Sequence, residues 1–174
     1  MQKKILVAYA TRTGSTQEVA EAVSVTLRES GLEVDIQSMR NVQTLEGYGA
    51  VVLGAPLYMF HWHKDALSFL SRYREVLTDG LPVAIFAGGP FAKGDEKEWQ
   101  EVHKQLDQEL AKFAWLKPIA VEIIGGKFDP AKLSFPLNLM PALKQMPASD
   151  LRDWTAIRAW ASNLAIKLRT ILSQ

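Results

Sequence analysis

The sequence predicts an α/β fold in which five parallel strands form one open, doubly wound sheet. Three observations carry this. Apolar runs of strand length alternate with amphipathic stretches of helical period along the whole chain. The central runs are apolar at every position, which requires cover on both faces, as helices on a parallel sheet provide. The junctions are marked by Gly, Pro and hydroxyl residues. Right-handed crossovers then wind the helices onto both faces.

The elements follow in order. Ile5-Leu6-Val7-Ala8-Tyr9-Ala10 is the first strand. A helix over 16–30 repeats Val19, Ala20, Val23 and Leu27 at helical spacing and stops at Gly31. Residues 32–36 alternate with period two, and 39–44 read as a short connecting turn or helix. Residues 50–55 form the continuous central strand, followed by one helix over 64–77 that ends before Asp79-Gly80. The fourth strand is 82–87, and a charged amphipathic helix covers 95–113. The fifth strand is 119–124, and a last helix opens at Asp153-Trp154, with Asp153 as its cap, and runs to 172. No repeat, low-complexity tract or linker interrupts this pattern, so the 174 residues read as a single domain, 1–174.

Composition narrows the function. A formal net charge of +1 supplies no field for binding nucleic acid. With no cysteine, disulfides, thiolate metal sites and iron-sulfur clusters are excluded, which is compatible with the cytoplasm. No apolar run reaches the roughly 20 residues of a membrane span. His61 and His63 lie two apart without an evident third ligand, so no metal site is expected.

The stretch that organises the chain is its first turn, Thr11-Arg12-Thr13-Gly14-Ser15-Thr16. A strand that breaks into a hydroxyl-rich turn and then a helix directs unpaired N–H groups and the positive helix end at one point, where a phosphate can sit. It is not a Walker loop, since no Lys follows Gly14, and it lacks the three glycines of the dinucleotide fingerprint. An ordinary turn, with Ser15 and Glu18 as a capping box, is the alternative. The second stretch of interest, 56–63, concentrates rings in what the pattern makes a surface loop. It is either a site for a flat aromatic ligand or a closure of the core end or dimer contact.

Thr11, Thr13, Gly14 and Thr16 together match Thr-x-Thr-Gly-x-Thr, and here the chain resembles the flavodoxin family, whose first loop holds the phosphate of FMN. In that fold the ligand lies beyond the carboxyl ends of the strands where the strand order reverses, flavodoxin itself being the known instance. The resemblance therefore implies FMN bound by Thr11, Arg12, Thr13, Gly14, Ser15 and Thr16 at the phosphate, by Pro56, Leu57, Tyr58, Met59 and Phe60 along the ring, and by Ala87, Gly88 and Gly89 at its edge. Flavodoxins commonly stack a tyrosine from the third loop on the ring; the nearest ring here is Phe91. The resemblance assigns no catalytic side chain, because the flavin carries the chemistry.

Between the fifth strand and the last helix lies a long insertion, 127–152, with many apolar residues broken by Pro130, Pro136, Pro141 and Pro147. It reads as a lid, a docking surface, a peripheral membrane contact, or a segment packed on the domain's own surface. With this insertion, the His61-x-His63 loop and Asp153-Trp154, the chain is similar to the branch containing the menaquinone-dependent protoporphyrinogen dehydrogenases. That implies an FMN-dependent oxidoreductase with a quinone or other redox partner, cytoplasmic with peripheral membrane contact through 127–152, and open to homodimer formation. An FMN electron carrier without its own substrate and a cofactor-free interaction module are the alternative readings.

Overall fold

The structure is a computed structural model that describes residues 3–59 and 61–174. Strands β1 (Lys4–Tyr9), β2 (Val34–Ser38) and β3 (Tyr48–Tyr58) lie in the order β2-β1-β3. A two-residue strand β4 (His61–Trp62) turns back antiparallel on the end of β3. Beyond β3 the sheet continues through β5 (Val83–Gly88) and β6 (Ala120–Ile124), giving five parallel strands in the order β2-β1-β3-β5-β6. The order reverses between β1 and β3, so the crevice above their carboxyl ends is the natural ligand position.

Alternation along β1 divides the core in two. Ile5 and Val7 pack with Val19, Val23 and Leu27 of α1 (Ser15–Glu29) and with Ile157, Leu164 and Leu168 of α6 (Trp154–Leu172). Leu6 and Ala8 face the opposite layer. There they meet Phe69 and Leu70 of α2 (Lys64–Arg72), Leu77 of α3 (Arg74–Thr78), and Val102 and Leu106 of α4 (Glu96–Ala111). Every residue of β5 is buried, the signature of a central strand covered on both sides.

Some expectations are corrected in detail. The single helix over 64–77 is two helices, because Tyr73 leaves helical geometry (φ −104°, ψ 16°) with its hydroxyl donating to Val42 O at 2.8 Å. Of the two alternatives for residues 39–44, the structure takes the turn, with Asn41 N–H donating to Ser38 O at 2.9 Å. The Ser15–Glu18 capping box does not form: Gly14 occupies the cap position with φ 93° and no side chain caps the helix. Asp153 does cap α6, accepting from Ala156 N at 2.9 Å.

The 127–152 segment is ordered around a small antiparallel pair, β7 (Lys127–Phe128) with β8 (Ser149–Asp150). Between them lie two 3-10 turns and a four-residue helix, α5 (Pro141–Lys144). Phe135, Leu139 and Met140 are exposed on it.

Candidate functional site

The first loop is built by its own hydroxyls and one glycine. Thr11 Oγ1 accepts from Gly14 N at 2.9 Å, closing the turn, and Gly14 takes the left-handed conformation that brings α1 in directly behind it. The N–H groups of Ser15, Thr16 and Gln17 open the helix and have no carbonyl one turn back to bond. A cradle of N–H donors and Thr hydroxyls thus faces the crevice between β1 and β3, and a phosphate suits that donor set.

Three loops converge there. A methyl group placed on Gly88 would stand 3.5 Å from Pro56 Cα and 4.0 Å from Thr16 Oγ1, so the backbones of the second and third loops reach the end of the first. Pro56, Leu57 and Tyr58 belong to the end of β3 rather than to a loop, which turns at Met59. Leu57 and Ala87 are core residues, so only their backbones reach the crevice. The N–H of Gly89 is committed to Ile124 O at 3.0 Å. Trp62 is also core, 1 % exposed, its indole donating to Ala55 O at 3.0 Å. Phe60 lies outside the described residues.

Tyr58 and Phe91 form the aromatic part of the site. Their rings stack with centroids 5.1 Å apart and planes within 9°, and the Arg12 guanidinium lies 5.1 Å from the Tyr58 centroid. Burial pushes the Tyr58 hydroxyl above its ordinary value against the opposing pull of Arg12, so the phenol stays neutral. Met59, 69 % exposed and at positive φ, projects beside them. Above this group the 127–152 segment closes a cavity of about 200 Å³, with Phe128, Leu133, Leu137, Met140 and Met146 opposite Tyr58 and Phe91. Lys127 and Lys132 stand at its polar end with Thr13.

Two charged residues with no counterpart among the expected site residues hold this arrangement. Glu98, at the start of α4, accepts from the N–H groups of Phe91, Ala92, Lys93 and Gly94 at 2.7–3.2 Å. Burial opposes its charge, and the four N–H donors outweigh burial, holding the carboxyl below its ordinary range. Arg152, its side chain 4 % exposed, bonds Asp150 twice at 2.8 Å, Ser15 O at 3.2 Å and Glu18 Oε2, and lies 4.7 Å from the Trp154 ring centroid. It fastens the end of the 127–152 segment to the first turn of α1. Ser149 adds a hydrogen bond from its hydroxyl to Phe91 O. Only the acidic residue three beyond a cap, Asp95-x-x-Glu98, hinted at the first of these in the sequence.

On the far side of Tyr58, His61 Nδ1 lies 3.3 Å from the buried carboxylate of Glu109, which also accepts from Trp62 N and Lys112. Burial resists the Glu109 charge, and these donors hold its pKa below the ordinary value. No group of three or more His, Cys, Asp and Glu capable of holding a metal occurs among the described residues.

Comparison with known proteins agrees with this fold. The chain is 26% identical over 125 residues to the protoporphyrinogen IX dehydrogenase [quinone] of Escherichia coli strain K12, covering 71% of this chain and 68% of that one. Among solved structures, flavodoxin 2 of Bacillus cereus superposes with a TM-score of 0.58 at 21% identity, covering 96% of this chain and 98% of that one. The rubredoxin oxygen:oxidoreductase of Desulfovibrio gigas gives a TM-score of 0.62 at 16% identity, and the chain, 99% covered, spans 38% of that larger one. These structural likenesses concern the fold. The sequence profile of the flavodoxin domain matches residues 6–143, from β1 into the segment after β6. With more than half its length inside that match, the chain belongs to the flavodoxin domain family and is an FMN-binding, flavodoxin-like oxidoreductase.

Proposed function

We propose that this protein oxidises protoporphyrinogen IX and delivers the electrons to a quinone. The observation that carries the reading is the apolar cavity of about 200 Å³ between the Tyr58–Phe91 pair and the 127–152 segment. A carrier without a substrate needs an exposed ring edge; a chamber of Leu, Met and Phe over the ring position suits one apolar edge of a flat reactant, the rest of which extends beyond the chamber. The similarity to the E. coli enzyme, 26% over 125 residues, supports the same class of reactants.

The residues divide the work. Residues 11–16 would hold the FMN phosphate through N–H groups and hydroxyls, with Arg12, Lys127 and Lys132 adding positive charge nearby. Tyr58 and Phe91 would contact the ring, and Gly88 lets backbone approach it. FMN, when bound, supplies the electron exchange. The apolar lining excludes water from the reactants, and no side chain is assigned as an obligatory acid or base. Phe135, 78 % exposed, and Leu139, 67 % exposed, provide an apolar contact by which the protein meets a membrane containing its quinone. Among the described residues no helix is long and apolar enough to cross one.

The test is reconstitution with FMN, gel filtration and an absorbance spectrum, followed by anaerobic turnover with protoporphyrinogen IX and a menaquinone analogue. Flavin near one per chain with turnover of both reactants is expected. A flavin-loaded protein that reduces a heme or iron-sulfur protein and turns over neither reactant would make it a carrier.

A further inference from the structure

A second cavity at the same sheet edge shares Thr11, Arg12 and Tyr58 with the flavin site, and the rest of its lining has no role in holding the flavin. It lies on the α2 side of Tyr58, has a volume of about 490 Å³, and is lined by Thr11, Arg12, Arg40, His61, His63 and Lys64 among others. No carboxylate is part of its lining among the described residues. Its permanent cations come from three separate places in the chain: Arg12 in the first loop, Arg40 in the turn after β2, and Lys64 in the first turn of α2. The nearby carboxylates stand behind them. Asp65 accepts from Arg40 Nε at 2.6 Å, and Glu109 faces His61 at 3.3 Å. Arg12 and Lys64 make no ion pair among the described residues. The cavity therefore has a positive surplus, and His63 registers it: burial lowers the His63 pKa first, and Arg12, Arg40 and Lys64 lower it further against the pull of Asp65.

We propose that this cavity is an oxyanion subsite, binding the carboxylate or phosphate groups of an anionic organic reactant whose apolar body reaches the ring position past Tyr58. Two features connect it to that position. Arg12, Tyr58 and Ser134 line both cavities, and Tyr58 is the wall between them. Guanidinium and ammonium donors around one opening match an oxyanion, and their spread over several elements suits more than one anionic group on the same molecule. The subsite rests on the flavin reading only for the placement of the apolar body; binding of the anion is separate from it.

The experiment is calorimetric titration of the FMN-loaded protein, its flavin content first read by absorbance, with pyrophosphate in one arm and phthalate in the other. The bound flavin keeps either probe out of the phosphate cradle. Binding of at least one probe is expected, weakened by added salt and at least fivefold weaker in Lys64→Gln and in Arg40→Gln. Both side chains are exposed, so both variants fold. The His63 ring, followed by NMR, should titrate at higher pH with the probe bound. Preference for pyrophosphate identifies a phosphate subsite, and preference for phthalate a carboxylate subsite. Absence of binding by both probes, or binding unchanged in both variants, overturns the proposal. Loss of flavin alone, with probe binding intact in the apoprotein and sensitive to the two variants, would overturn the flavin reading and leave the subsite standing.

Discussion

The Tyr58 and Phe91 rings lie nearly parallel, their planes 9° apart at a centroid distance of 5.1 Å, although one ends β3 and the other follows β5. The pair joins the second and third loops over the crevice, the position proposed for the flavin ring. Phe91→Leu keeps most of the apolar area and removes the stacking, which is worth about 0.5–1.5 kcal/mol. FMN affinity, measured by quenching of flavin fluorescence, should therefore fall by roughly two- to tenfold, and the protein should lose stability of the same order as the stack, read as a melting temperature lowered by a few degrees. Unchanged affinity would place Phe91 outside the ring site.

Glu98 links the pH dependence of stability to the shape of the third loop. Its carboxyl is held below the ordinary 4.5, so the protonated form is the weaker partner in the fold. The stabilisation is therefore present above pH 4.5 and is lost as pH falls through the lower folded-state value. Glu98→Gln replaces a charged acceptor of four N–H groups with a neutral one and should cost about 1–2 kcal/mol at neutral pH. Chemical denaturation at pH 7 and at pH 3 checks this: the gap between wild type and variant should be wider at the first than at the second.

Arg152 ties stability of the 127–152 segment to the cradle. Its partners are about half exposed, which reduces what the pairs contribute, while the guanidinium itself is 4 % exposed. Arg152→Gln should lower stability by about 1–3 kcal/mol. Limited proteolysis should then cut within 129–148 faster, and FMN should bind more weakly because Ser15 O loses a donor beside the phosphate loop. Faster cutting with unchanged FMN affinity would show that the segment and the cradle are independent.

These residues also mark what a single sequence conveys. The strands and helices were legible because burial imposes period: β5 is apolar at every position, and Val19, Val23 and Leu27 share one face of α1. The strand, turn and helix at 4–29 were legible because their residues are contiguous. Arg152 was not, since its partner Glu18 is 134 residues away and nothing local distinguishes it from a solvated arginine. The same holds for the Tyr58–Phe91 contact, which depends on strand order. Tyr73 breaks its helix through a bond to Val42, 31 residues earlier, without a Gly or Pro to announce it. Trp62 read as part of an exposed aromatic loop because the two-residue β4, which turns it inward, is too short to show alternation.

His61 is the group at the site edge most suited to proton transfer, and its Nδ1 is oriented by Glu109 at 3.3 Å. The flavin reading nevertheless assigns no obligatory acid or base. His61→Gln should leave FMN bound and turnover within about threefold of wild type across pH 6–8, a smaller change than the 10²–10⁴-fold expected on removing a general acid or base. Abolished turnover with flavin retained would make His61 a catalytic residue.

Gly126 tests whether the segment after β6 sets the position of Phe91. A Cβ at this residue would lie 2.3 Å from Cδ1 and Cε1 of the Phe91 ring and 2.9 Å from Pro90 O, closer than a side chain can approach. The ring is the part able to yield, and yielding breaks its stack on Tyr58. Gly126→Ala should cost about 1–3 kcal/mol, as overpacking does, and should weaken FMN at least as much as Phe91→Leu. Leucine in place of Phe91 leaves room for the added methyl, so the double variant should be more stable than the sum of the two single losses by about 0.5 kcal/mol or more. A thermal or denaturant double-mutant cycle reads this coupling. Strict additivity would mean that the Pro90 backbone, and not the Phe91 ring, limits the space at Gly126.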